Sequence, residues 1–288
     1  MAFTILIDAS ELVLHIGNEN WAVVDCRFSL DDTERGRRDY MEAHIPGAVY
    51  AHLDSDLSGA KIPGKTGRHP LPEIQSFAET LSAWGIDSDT QVVVYDDSSG
   101  PMAARLWWML NWLGHRDVAL LDGGWLSWRQ LGLPVRGGRE FRPPKRFMPN
   151  EISGAYVSTE KVQEYRNDPR YLMLDARSAP RYRGEMETID SAAGHIPGAI
   201  SAPYEQNLAS SGRFLSPEIL RQRYEPLMKS VPPANVICYC GSGVTAAHNL
   251  IAIAHAGLGM ARLYPGSWSE WIADGERPVA TGEEPGRG

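Results

Sequence analysis

Cysteine is scarce in this chain: Cys26, Cys238 and Cys240 are the only three in 288 residues. That is too few for the disulfide framework of a secreted domain. A basic excess is missing too. Lys and Arg number 28 against 36 Asp and Glu, a formal charge of -8. The electrostatic footprint of a nucleic-acid binder is therefore absent, although local arginines can still hold a small anion. Charges or glycines interrupt every apolar run before the roughly 18 residues that a membrane helix needs. The first segment, MAFTILIDASELVLHIG, lacks the basic start and small-residue cleavage site of a signal peptide. These absences set the expectation of a cytoplasmic protein with no membrane and no nucleic-acid partner. Apolar residues at 43% and charged residues at 22% are ordinary for a globular chain, and the length suits one large domain or two of usual size.

What is present is repetition, at a period of about 150 residues. WAVVDCR (21–27) is matched by YLMLDAR (171–177), and HIPGAV (44–49) by HIPGAI (195–200). QVVVYDD (91–97) is matched by NVICYCG (235–241), LLDGGWLSW (120–128) by RLYPGSWSEW (262–271), and GLPV (132–135) by ERPV (276–279). Five landmarks recur in one order, which chance does not supply. Each half is therefore expected to fold as the same unit. The runs VVD, LMLD, VVVY and VICY are short, continuous and rich in β-branched residues, as strands buried on both faces should be. Helical patterns lie between them, at 73–85 and 102–114, the second closed by Gly114 as a C-cap. Strands alternating with helices predict an α/β fold, each domain a mainly parallel sheet flanked by helices. The expected boundaries are 1–139 for the first domain, 140–155 for a Pro-rich, basic linker draped over the surface, 156–280 for the second domain and 281–288 for a flexible tail.

The halves differ at one telling place. ICYCGSGVTA (237–246) ends a predicted strand, crosses a Gly-Ser-Gly turn and enters a predicted helix over 245–257. Such a turn points backbone N–H groups into one concavity beside the positive end of a helix dipole, and such a bowl binds anions. A cysteine at its base is stabilised as the thiolate, the form a sulfur nucleophile needs. Free cysteine is also among the most buried residue types, so an inert Cys240 is the competing reading; a merely structural cysteine does not require the glycines. Cys238, on the strand, reads as core. A metal site is not supported, because no second Cys/His pair completes a tetrahedral set. The first half carries Asp96 where the second carries Cys240, so one half is expected to be catalytic and the other structural.

Two copies of D-x-R, HIPGA, strand-loop-helix and G-G/S-W, with a cysteine loop only in the second, resemble the tandem-domain rhodanese family of sulfurtransferases. The resemblance runs over essentially the whole chain, and CGSGVTA (240–246) is similar to the loop of its 3-mercaptopyruvate sulfurtransferases. Thiosulfate-preferring relatives usually carry basic residues just after the cysteine, where this chain has Gly241 and Ser242. The resemblance implies a fold of two tandem rhodanese-like domains and no cofactor. It implies a Cys240 persulfide, cradled by residues 241–245 (Gly241, Ser242, Gly243, Val244 and Thr245). Sulfur passes from 3-mercaptopyruvate to a thiol, thioredoxin or cyanide, with release of pyruvate. Thiosulfate is the nearest alternative donor.

Arg181, in DARSAPRYRGE (175–185), matches the family's substrate-binding position. Arg183 follows on the same side if that chain is extended, and stands in for a second carboxylate contact, because GEMETIDSAAGHIPGA (184–199) holds no arginine. Ser242 matches a proton relay that in the family works with a histidine and an aspartate, expected here at His44 and Asp32. His44 also belongs to the repeated HIPGA turn, since His195 is its counterpart, so a place in that turn competes with a catalytic one. Asp25 and Asp175 recur in both halves and are expected to anchor backbone. Two readings of other classes compete. A phosphatase with a Cys-x5-Arg loop needs arginine at position 246, which is Ala246. A sulfur-carrier or interaction module without enzyme activity is opposed by the intact cysteine and its glycine-rich loop.

Overall fold

The computed structural model describes residues 2–286. It divides into two compact units that are not the two halves of the sequence. One comprises residues 2–59, Leu71–Ile152 and Ser210–Arg213; the other comprises Ala60–Pro70, Ser153–Ala209 and 214–286.

The first unit holds strands β1 (Leu6–Ile7), β2 (Trp21–Asp25), β3 (Val49–Tyr50), β4 (Gln91–Tyr95) and β5 (Val118–Leu121). They form one sheet in the order β1-β5-β4-β2-β3, every pair parallel. Its helices are α1 (Ala9–Leu12), α2 (Arg35–Glu42), α3 (Ile74–Ala83), α4 (Ala103–Trp112) and α5 (Gly124–Gln130). The predicted helices over 73–85 and 102–114 are thus α3 and α4. All five residues of β4 and all ten of α4 are buried, because a central parallel strand is covered on both faces. Ile7, Leu12, Val23, Val93, Tyr95 and Trp128 share one core. Residues 140–152 are fastened to this unit: Lys145 N–H donates to the Ser82 carbonyl at 2.9 Å, Asn150 N–H to Leu113 at 3.0 Å, and Phe147 is buried.

The second unit repeats the plan with α6 (Thr159–Tyr165), β6 (Leu172–Asp175), α7 (Ala179–Arg183), β7 (Ala199–Ser201), α8 (Pro217–Met228), β8 (Val236–Tyr239), α9 (Ala246–His255), β9 (Arg262–Leu263) and α10 (Ser267–Trp271). Its sheet runs β7-β6-β8-β9, again all parallel. A single parallel bridge from Tyr156 to Leu263 stands where the first unit has β1. Met173, Ile237, Tyr239, Trp268 and Trp271 lie in its core. The tail is described as far as residue 286, and it is held rather than loose: Gly282 N–H donates to the Arg183 carbonyl at 2.9 Å and Gly198 N–H to the Pro285 carbonyl at 2.6 Å. Arg287 and Gly288 lie outside the described residues. No helix among the described residues is long and apolar enough to cross a membrane.

Candidate functional site

Both units build the same joint at the end of the second repeat strand, and the first shows what that joint accommodates. Asp96 follows β4 and is wholly buried. Its carboxylate accepts four backbone N–H bonds: Ser98 at 2.9 Å and Gly100 at 2.8 Å on Oδ1, Met102 at 2.8 Å and Ala103 at 3.0 Å on Oδ2. The loop before α4 therefore converges on an anion, as a strand-to-helix turn of this kind does.

Cys240 occupies the corresponding place after β8, ahead of α9. The register is the same, since the Asp96 carbonyl accepts Trp125 N–H at 2.8 Å and the Cys240 carbonyl accepts Trp268 N–H at 3.0 Å. Cys240 N–H donates to Ser267 Oγ at 3.1 Å. Ser267 adopts φ +55° at the position of Gly124, which has φ +53°. Its hydroxyl in turn donates to the Tyr264 carbonyl at 2.8 Å, so one side chain ties the cysteine to the β9–α10 turn. Gly243 has φ +73°, and a Cβ there would collide with the Pro265 carbonyl. Val244 is buried, and its carbonyl begins the turn that opens α9 by accepting Ala247 N–H at 3.1 Å. Thr245 is the residue before the helix. Cys238 is wholly buried, and burial pushes its thiol pKa far up, which fits the core reading.

The side chains gathered over this loop come from two distant stretches. Ser242 Oγ lies 2.8 Å from His69 Nδ1. A Cβ on Gly241 would meet Arg68 Nη2 at 2.7 Å and Arg181 Nη1 at 3.6 Å, so two guanidiniums face that glycine. Arg181 is held from behind by Glu187, at 2.8 Å from Nη2 and 3.1 Å from Nε, and by Asp190 Oδ2 at 3.0 Å. Asp190 Oδ1 takes Nη1 of Arg68. Burial works against the Glu187 carboxylate, but the Ile189 and Asp190 N–H groups and the Arg181 guanidinium outweigh it and hold its pKa below the usual glutamate value. Two cations and two buried carboxylates leave the cluster near neutrality.

Arg68 and His69 were not legible as site residues in the sequence. They belong to GRHPLP (67–72), a stretch without motif or periodicity, and only the fold carries residues 60–70 into the second unit.

Three expectations change. The histidine that meets Ser242 is His69. His44 is wholly buried, donates from Nδ1 to the Tyr40 carbonyl at 2.6 Å and stacks on Tyr40 at 4.1 Å. His195 does the same with Tyr182, at 2.8 Å and 3.7 Å. The pair is a repeated packing device. Asp32 is exposed and ion-paired to Arg38, which lowers its pKa and supplies no link to a histidine. Arg183 pairs with Glu185 at 2.7 Å. Residues 179–183 form α7 rather than an extended strand, and positions two apart on a helix do not share a face, so Arg181 and Arg183 diverge.

The repeated Asp-x-Arg motif does anchor backbone, through its arginine. Asp175 binds Arg177 at 2.6 Å, and Arg177 donates to the Gly194 carbonyl at 2.7 Å. Asp25 and Arg27 repeat this to Ala43, at 2.6 and 2.7 Å. The strand end is thereby fastened to the residue before each HIPGA turn.

Comparison with known proteins adds four findings. The rhodanese-like domain family matches residues 8–131 and 158–274. A protein of Pseudomonas aeruginosa named "Probable 3-mercaptopyruvate sulfurtransferase" is 48% identical over 279 residues, covering 96% of this chain and 98% of that one. The thiosulfate sulfurtransferase of Bos taurus is 32% identical over 256 residues, covering 87% of this chain and 84% of that one. Among solved structures, the 3-mercaptopyruvate sulfurtransferase from Leishmania major superposes with a TM-score of 0.82 at 32% identity, over 93% of this chain and 74% of that one.

Proposed function

Because this chain belongs to the rhodanese family, with two rhodanese-like domains, we propose that it is a sulfurtransferase that takes sulfur from 3-mercaptopyruvate onto Cys240. The observation that carries the reading is the joint after β8: a cysteine stands where the sister loop holds a carboxylate with four N–H groups. A loop of that geometry favours an anionic sulfur, first the thiolate and then the persulfide.

The Cys240 thiolate attacks the thiol sulfur of the donor. The new S–S bond forms as the donor's C–S bond breaks, and its electron pair passes to carbon as the enolate of pyruvate. That enolate takes a proton and leaves as pyruvate. Ser242, with His69 at its hydroxyl, is positioned to relay this proton. In the second half-reaction an acceptor nucleophile, a small thiol, thioredoxin or cyanide, takes the outer sulfur and Cys240 returns to the thiolate. Arg181 offers its free Nη1 edge to the donor's carboxylate.

Thiosulfate is the second reading, favoured by the likeness to the Bos taurus enzyme. The near-neutral cluster argues for the monoanion: Glu187 and Asp190 offset Arg68 and Arg181, so a dianion gains less there. The test is steady-state transfer to cyanide from each donor, with wild type and Cys240→Ser. A higher kcat/KM for mercaptopyruvate, lost in Cys240→Ser, is expected. A preference for thiosulfate reverses the donor assignment. No transfer from either donor points to a carrier module.

A further inference from the structure

The chain is acidic as a whole, yet one stretch of the first unit is basic. Residues 136–146 hold Arg136, Arg139, Arg142, Lys145 and Arg146 against Glu140 alone. They run past a cavity of about 570 Å³, which Arg37, Arg139 and Arg142 line together with Tyr50, Trp84 and Phe141. The three guanidiniums are placed differently. Arg37 lies 5.3 Å over the Tyr50 ring and binds Glu34 through Nε at 3.1 Å. Arg139 lies 5.0 Å over the Phe141 ring. Arg142 is half-buried, and it donates from Nε to the Trp84 carbonyl and from Nη2 to the Glu19 carbonyl, both at 3.1 Å. Among the described residues neither Arg139 nor Arg142 is ion-paired, and burial lowers the Arg142 pKa with no acid countering it. The one carboxylate among the lining residues, Glu140, is engaged elsewhere: its Oε1 accepts Gly47 N–H at 3.3 Å and Arg136 Nη1 at 3.2 Å. The cavity wall therefore carries uncompensated positive charge beside aromatic rings. A strap that only fastens residues 140–152 needs the two carbonyl bonds of Arg142. It needs neither Arg139 at the cavity nor Phe141 77% exposed.

We propose that this cavity binds a nucleoside monophosphate, its phosphate held by Arg139 and Arg142 and its base laid against the aromatic side formed by Tyr50, Trp84 and Phe141. The planar fork of a guanidinium matches phosphate oxygens, and such charge-assisted bonds are stronger than neutral ones. A phosphate dianion answers two unpaired cations better than a single carboxylate does. The rings supply stacking, which any base can use because every base has a π-face. The volume also fits, since sites for ligands of this size run from roughly 300 to 1,000 Å³, more than a free phosphate fills. The site stands apart from the cysteine loop, and it holds whichever sulfur donor the protein uses.

The experiment is isothermal titration of the full chain with AMP and UMP, beside adenosine and inorganic phosphate, at one low ionic strength. Both nucleotides are expected to bind saturably, at least roughly 10-fold tighter than adenosine or phosphate alone. Arg139→Gln should weaken AMP roughly 10-fold. Phe141→Ala should weaken AMP and leave inorganic phosphate as it was. Both side chains are exposed, so neither change should alter the fold, and thermal melts check that. Arg37→Gln repeats the charge test from another element if Arg139→Gln melts low. A wild type that takes neither AMP nor UMP overturns the site. Equal affinity for AMP and inorganic phosphate overturns the nucleotide assignment, because the rings then contribute nothing. Unchanged AMP affinity in a folded Arg139→Gln overturns the phosphate seat.

Discussion

Gly241 and Gly243 stand two residues apart in the cysteine loop and answer different needs. At Gly243 the backbone is left-handed, and any Cβ runs into the Pro265 carbonyl. Neither the backbone conformation nor a neighbouring main chain can yield cheaply. At Gly241 the neighbours are the ends of Arg68 and Arg181, which can move. Gly243→Ala should therefore cost about 2 kcal/mol or more in stability. Gly241→Ala should leave the melting temperature nearly unchanged while raising KM for the donor by displacing the arginines. Thermal melts beside steady-state kinetics check both, and a Gly241→Ala variant with unchanged KM would count against a donor seated there. At this scale the sequence was informative about Cys240, Ser242 and the two glycines, because all lie in one continuous turn. It was silent on Arg68 and His69, which ordinary loop residues resemble until the fold places them.

At the scale of elements, a repeated motif marks what both units need to stand, and a difference marks what only one does. The Asp-x-Arg pairs and the stacked histidines occur twice with nearly the same distances, so they serve the strand-to-turn connection. Recurrence was visible in the sequence, and for His44 it weighed correctly toward packing. The loop between α7 and β7 is unmatched, and it holds the carboxylates that back Arg181. Glu187 there carries a testable pH signature. Its folded-state pKa lies below the ordinary value of 4.5, so its contribution to stability is present above that value and is lost as pH falls through the folded pKa. Glu187→Gln should melt below wild type at neutral pH, and the gap should close on acidification below about pH 4. Melts at several pH values decide it; a gap independent of pH would mean that the glutamate's charge plays no part.

For the whole molecule, each unit borrows a short piece from beyond its own stretch of sequence: Ala60–Pro70 goes to the second unit and Ser210–Arg213 to the first. In the first, Arg213 pairs with Asp122 at 2.9 Å. A fragment of residues 153–288 keeps Cys240 and loses Arg68 and His69. It should be less stable than a self-contained domain and transfer sulfur from mercaptopyruvate far more slowly than the intact chain. The two purified proteins, assayed side by side, give the answer. Full activity in the fragment would show that residues 60–70 are dispensable.

The sequence by itself determined the duplicated α/β plan, the parallel strands and the cysteine loop. Each of these depends on contiguous residues: β-branched runs, a helical period, and a Gly-Ser-Gly turn between strand and helix. It also identified which half carries the cysteine. Only the tertiary structure decided which histidine meets Ser242, which arginine joins Arg181, and that residues 179–183 coil into a helix and turn Arg183 away. Those outcomes depend on which distant segments pack together. Long-range packing leaves no period or spacing in the chain, because the contacts of residues 60–70 with residues 190, 242 and 269 are set by the shape of the folded unit and not by neighbours in sequence.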